Sequence, residues 1–174
     1  MLSQSVGYAA SALSVVAAAG GRPLRVREIA ETASIPAPYL AKIVHALARK
    51  ELVTTQRGIG GGVTLSRAAA EISLYDLCIA LDDPAVIPRC MLGTSECSDC
   101  RACPAHAYWS EQRARHIDFL RRLTVADIAA FEARRVAAQA AAAGSAPKGP
   151  AAGQITISAT SAAALLNAAI TGSL

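Results

Sequence analysis

No stretch of about twenty strongly apolar residues runs through this chain, so a membrane span is not expected. The amino-terminal segment is alanine-rich, but no basic run precedes it, which argues against a secretory signal. Histidine is scarce, with three in 174 residues, and cysteine numbers only five. The glycine-rich run at residues 58–62 is not followed by Gly-Lys-Ser or Gly-Lys-Thr, so a phosphate-loop nucleotide site is a weak reading. Nothing resembles a nucleophile beside a base, and enzymatic turnover is not expected. These absences leave a cytoplasmic chain, where clustered cysteines point to metal binding or redox sensing and not to a disulfide scaffold.

The few cysteines and histidines are not spread evenly. Cys90, Cys97, Cys100, Cys103 and His106 fall within the run CMLGTSECSDCRACPAH. Thiolates and imidazoles at this density suit a soft metal or an iron–sulfur cluster. The spacing is Cys90-x6-Cys97-x5-Cys103-x2-His106, with Cys100 midway between the last two thiols. A zinc knuckle using Cys97-x2-Cys100 with Cys103 and either His106 or Cys90 is a second reading. A thiol–disulfide switch is a third. A loop of unligated thiols is the bland alternative, and it is disfavoured because exposed cysteines oxidise. Asp99 and Glu96 flank the thiols and read as solvated loop carboxylates.

Charge is also uneven. Residues 1–67 carry eight basic and three acidic side chains, a net of +5, whereas residues 68–174 carry nine basic and ten acidic, a net of −1. A basic amino-terminal third fits a polyanionic partner, although a merely solvated surface would look the same.

Apolar periodicity supplies the framework. Val6, Ala9, Ala10, Leu13, Val16 and Ala17 mark an amphipathic helix that Gly20-Gly21 stops. Val26, Ile29, Ala30 and Ala33 mark a short second helix, broken at Ser34-Ile35-Pro36. A third begins near Ala37 or Pro38, with Leu40, Ile43, Val44 and Leu47 inward and Tyr39, Lys42 and His45 largely off that face. Leu52–Gln56 and Val63–Leu65 read as two strands joined by Arg57-Gly58-Ile59-Gly60-Gly61-Gly62. This order is the plan of a winged helix-turn-helix domain, mainly α with a small β-hairpin wing, and its expected partner is a double-stranded DNA operator. The candidate DNA contacts are Arg27, Pro38, Tyr39, Lys42, Arg57, Gly58 and Gly60.

Beyond the wing, Ser73-x-x-Asp76 resembles a capping box opening a helix with Leu74, Leu77, Cys78 and Leu81 on one face, so Cys78 reads as a core thiol. Pro104 suggests a helix starting there and ending near Leu123. Its stripe of Trp109, Ile117 and Leu120 lies outside the winged core and is expected to pack on a second copy of the chain. Thr124-x-x-Asp127 caps a short helix with Ile128 and Phe131. The expected organisation is a DNA-binding domain at 1–83, a cysteine loop at 84–103, a dimerisation helix and short helix at 104–136, and a flexible Ala/Gly/Ser-rich tail at 137–174.

Several of these segments together resemble the bacterial IscR/NsrR-type, or Rrf-two, winged-helix regulators over about residues 1–130. They are Gly7-Tyr8-Ala9, Pro38-Tyr39-Leu40, the wing Arg57–Gly62, the cysteine loop and Cys103-Pro104-Ala105-His106-Ala107-Tyr108-Trp109. The resemblance implies a homodimer on a palindromic operator, a long helix crossing to the partner subunit, and three loop cysteines holding an iron–sulfur cluster. In the IscR-like pattern the fourth ligand is a histidine three residues after the third cysteine, here His106. The NsrR-like pattern uses an acidic residue in the first helix, and no Asp or Glu precedes Glu28 in this chain. The first gap is six residues where the IscR-like pattern often has five, and Cys100 is extra. A Cys90/Cys97/Cys103/His106 set holding a 2Fe-2S cluster is favoured, with Cys100 as an alternative ligand that would tend toward 4Fe-4S. The implied function is a cluster-controlled transcription regulator, a repressor, whose signal is iron, redox state or nitric oxide.

Overall fold

Helix α1 starts where its sequence supplies a cap. Ser3 is extended, and its Oγ accepts the Val6 N–H ahead of the helix Gln4–Ala18. A computed structural model describes residues 2–93, 96–99 and 103–144. Within them α1 buries Val6, Ala9, Leu13 and Val16 and leads into α2 (Val26–Ala33) and α3 (Ala37–Arg49). The turn between α2 and α3 is made by Ser34, which adopts a left-handed conformation (φ 55°), and by Ile35, whose N–H donates to the Ala30 carbonyl at 2.9 Å. Pro38 then occupies the first turn of α3, where no intrahelical N–H is needed.

Strands β1 (Val53–Thr55) and β2 (Val63–Leu65) pair antiparallel, with Val53 opposite Leu65 and Thr55 opposite Val63. The hairpin is wider than the sequence suggested. Leu24 flanks β2 on its far side, donating to the Val63 carbonyl at 3.1 Å and accepting the Val63 N–H at 2.7 Å. Helix α4 (Leu74–Ala80) has the expected capping box: Ser73 Oγ accepts the Asp76 N–H at 3.1 Å, and Asp76 Oδ2 accepts the Ser73 N–H at 2.9 Å.

Helix α5 (His106–Arg122) begins two residues later than Pro104 would suggest, because Pro104 and Ala105 are used in a turn closed by the His106 N–H on the Cys103 carbonyl. Helix α6 (Val125–Gly144) is capped by Thr124 and Asp127 as expected, but it is not short. It continues past residue 137 through a run of alanines, the residue with the highest helix propensity. The rest of the expected tail, 145–174, lies outside the described residues.

The apolar stripe of α5 also differs from expectation. Leu120 is fully buried in the core of its own chain, with Leu13, Ile29, Leu40, Leu47 and Leu77, and Val125 at the start of α6 joins it. Backbone bonds explain why. The Leu74 N–H donates to the Leu123 carbonyl and the Val125 N–H to the Ile72 carbonyl, both at 2.8 Å, which straps the α5–α6 junction to α4. Trp109 is half-buried and donates its Nε1–H to the Arg89 carbonyl at 2.8 Å. On these two helices the large apolar side chains left exposed are others: Tyr108 and Phe119 on α5, and Phe131 and Val136 on α6. No described helix is long and apolar enough to cross a membrane.

Candidate functional site

Two groups of residues carry the chemistry. On α3, Lys42 and Arg49 project into solvent, Lys50 follows at the helix end, and Arg57 opens the wing loop. None of the four has an ion-pair partner among the described residues, so their charge is free for a polyanion. Arg27 is different. Its Nε donates to Glu31 Oε1 at 2.8 Å in an exposed pair one helical turn apart, weak enough to yield to a phosphate. That hydrogen bond holds the Arg27 guanidinium pKa above its usual value, with the Glu31 charge adding to it.

Tyr39 is less free than a base-reading side chain would be. Its hydroxyl lies 2.6 Å from Ser5 Oγ, and its ring packs edge-on against Tyr8 with centroids 5.6 Å apart. The start of α3 is thereby braced on α1, and the tyrosine positions the helix as well as facing outward. The sequence offered no sign of the Ser5 contact, which joins residues 34 apart. Pro38 is exposed beside it. Gly58 and Gly60 contribute backbone conformation, with φ of 99° and 79°, and no side chain.

The second group is the cysteine loop. It folds back on itself, with the Cys97 N–H donating to the Pro88 carbonyl at 3.2 Å and Arg89 bridged to Glu96. Helix α5 holds it from one side through Trp109 and through Arg113, whose guanidinium donates to the Val86 carbonyl at 3.3 Å. The fold brings two of the expected ligands into contact: Cys97 Sγ is 3.4 Å from His106 Nδ1. Asp99 is exposed, as a solvated loop carboxylate should be, and it also reaches the imidazole. Asp99 Oδ1 lies 2.9 Å from His106 Nε2, so the carboxylate orients the imidazole from behind.

Cys90 and Cys103 are half-buried on the same loop. Cys103 gives its carbonyl to the His106 N–H, and Cys90 borders a cavity with Ile87, Met91, Trp109 and Arg113. Arg113 also lines the cavity of Cys97, Asp99 and His106, and its Nε is buried with no hydrogen-bond partner among the described residues. Among the described residues no three His, Cys, Asp or Glu side chains converge on a single point. Cys100 lies outside the described residues. Cys78, by contrast, is in the core as expected, and burial, with the Asp83 charge adding to it, pushes its thiol up to about 11.

The pair that the loop does assemble has the span of a thiol–imidazole hydrogen bond and also that of two metal ligands, while the full four-residue set is not gathered among the described residues. Two ligands on one tetrahedral ion, with bonds of about 2.3 Å to sulfur and about 2.0 Å to nitrogen, stand roughly 3.5 Å apart. The Cys97–His106 separation matches that span, and the Arg113 Nε, unpartnered among the described residues, offers a buried cation beside a site that would carry several thiolates.

Three helices, a recognition helix with unpaired cations and a glycine hairpin define a winged helix-turn-helix DNA-binding protein. The chain belongs to the Rrf2 family of iron-dependent transcriptional regulators, whose model matches residues 2–130. It is 32% identical over 126 residues to the HTH-type transcriptional regulator IscR of Sodalis glossinidius, covering 72% of this chain and 76% of the relative. Among solved structures it resembles CymR, the global cysteine regulator of B. subtilis. That match has a TM-score of 0.62 and 23% identity, over 75% of this chain and 97% of CymR. T. potens IscR matches with a TM-score of 0.57 at 22% identity, over 74% and 85% of the two chains. These relatives are transcriptional regulators and not enzymes.

Proposed function

We propose that this regulator is a homodimeric, cytoplasmic repressor whose operator affinity is set by an iron–sulfur cluster held by Cys90, Cys97, Cys103 and His106, of the 2Fe-2S type. The observation that carries the reading is the 3.4 Å approach of Cys97 Sγ to His106 Nδ1 on a loop that also holds the two other thiols. The cluster would supply a redox-active, oxidant-labile centre. The protein's own part is to hold that loop and to report its state.

Two connections suit the loop to reporting. Asp83, where the loop begins, is 1% exposed and accepts the Ser3 N–H and the Ala85 N–H, each at 2.8 Å. It therefore ties the loop to the cap of α1, on which Tyr39 braces the recognition helix. At the other end Trp109 and Arg113 tie the loop to α5. A change in loop order acts on both the recognition helix and the dimer helix, and half-sites about one helical turn apart then favour one state. Coupling of about 1–3 kcal/mol corresponds to roughly five- to 150-fold control.

The experiment is anaerobic purification with iron, acid-labile sulfide and zinc counts beside the visible spectrum, followed by operator affinity before and after cluster removal. Comparable iron and sulfide with a changed affinity support the reading. A colourless protein with one zinc per chain, unchanged by reconstitution, points instead to a structural zinc. The Cys97–His106–Asp99 contact also favours a second reading, a thiol switch in which the imidazole takes the Cys97 proton. Oxidant-dependent DNA binding in iron-free, zinc-free protein would mark it.

A further inference from the structure

The wing presents one side chain beyond Arg57, and that side chain is aliphatic. Of the residues after Arg57 in the loop, Gly58 and Gly60 hold positive φ, and the Gly61 N–H closes a turn on the Gly58 carbonyl at 3.1 Å. Gly61 and Gly62 have no room for a side chain. A Cβ at Gly61 would meet the Gln56 carbonyl, and one at Gly62 would lie 2.7 Å from the Leu24 carbonyl oxygen. The loop is therefore slim and conformationally committed, and Ile59 stands at its tip with its side chain fully exposed. No packing among the described residues accounts for it.

We infer that Ile59 is an apolar wedge that enters the minor groove of the operator and selects a deformable base step there. The argument rests on the DNA-binding reading and extends it. An isoleucine side chain can neither pair with a phosphate nor read a hydrogen-bonding edge, so on a DNA-facing hairpin its available surfaces are sugar C–H groups, base faces and, in the major groove, thymine methyls, and the slimness of the loop selects the minor-groove surfaces among these. The minor groove is about 6 Å wide, and a glycine-walled loop is narrow enough to follow it. Aliphatic side chains placed there part base steps and kink the duplex, which costs least at pyrimidine–purine steps. Arg57, without an ion-pair partner among the described residues, stands at the base of the same loop and supplies the charge that holds the loop against the backbone.

The test uses the full chain and a duplex that the wild-type protein recovers from a random-sequence library. Affinity is measured across a salt series, with bending followed by circular permutation. Ile59→Ala should bind about tenfold more weakly, the loss expected for removing one buried aliphatic side chain. Its salt slope should be unchanged and its bend smaller, and it should lose the preference for TA or CA/TG over stiff steps under the wing. Ile59→Leu should restore binding. Arg57→Ala should instead lower the salt slope by about one. Since Ile59 is exposed, melting temperatures should not move. Wild-type affinity and step preference in Ile59→Ala overturn the wedge while leaving DNA binding intact, as does a loss accompanied by a reduced salt slope. Failure of the wild-type protein to recover any duplex overturns both.

Discussion

His106 Nδ1 stands 3.4 Å from Cys97 Sγ, the spacing of two ligands that share one tetrahedral ion. Cys97→Ala and His106→Ala should each abolish cluster loading, as should Cys103→Ala, while Cys100→Ala retains it. Iron and sulfide content with the visible spectrum decides this. Loading that survives His106→Ala and fails in Cys100→Ala assigns the fourth position to Cys100. Asp99 orients the imidazole, so Asp99→Ala should loosen the metal by about tenfold or more, with Asn at 99 recovering part of the loss.

Tyr39 braces the recognition helix through Ser5 and Tyr8, and this predicts a pattern among the wild type and two variants. Tyr39→Phe removes one hydrogen bond, about 1 kcal/mol of stability, and should weaken operator binding without changing its salt dependence. Lys42→Ala contributes through charge, and its salt slope should fall by about one. Equal slopes in all three proteins would remove Lys42 from the phosphate contacts.

The helices, wing and caps were legible because each has a local cause: three- and four-residue apolar steps, Ser73-x-x-Asp76, Thr124-x-x-Asp127, and glycines where the chain reverses. What was not legible depends on distance in sequence. Leu24 joins β2 from 39 residues away, Ser5 finds Tyr39, and Asp99 turns back to His106 across a loop with no periodicity. Periodicity marks the apolar face of α5 but does not show what covers it, so a partner chain and the chain's own core look alike in the sequence. Leu120 is covered by its own chain through the strap at Leu123 and Val125.

Asp83 should set part of the acid limb of stability. Burial pushes its carboxyl pKa up, but hydrogen bonds from Ser3 and Ala85 outweigh that and hold it below the usual value. A carboxyl whose pKa is depressed on folding stabilises above its unfolded value, about 4, and loses that contribution as pH falls through the lower folded value. Asp83→Asn should cost about 1–3 kcal/mol near pH 7. In denaturant titrations its gap from wild type should narrow below about pH 4.

Cys78 gives the opposite sign. Its thiol, 0% exposed and raised to about 11, stabilises fully below its ordinary value of 9.0, and that contribution is lost as pH rises from there through about 11. At pH 8 an alkylating reagent should modify metal-free loop cysteines in the folded protein and reach Cys78 only after denaturant is added. Peptide mapping reads this directly. Labelling of Cys78 without denaturant would mean that the core around Leu77 opens locally.

Tyr108 and Phe119 are both exposed on α5, eleven residues and therefore about three turns apart, so they share a face. Leu120 faces inward, which leaves this pair as the apolar surface α5 offers to a second copy. Phe119→Glu should shift the protein from dimer to monomer in sedimentation velocity while the melting transition stays near that of wild type. Operator affinity should fall steeply, because a monomer engages one half-site and forfeits the gain from linking two. A monomeric variant that keeps wild-type affinity would separate dimerisation from DNA binding. A variant that remains a dimer moves the interface to α6, where Phe131 and Val136 are the exposed apolar residues.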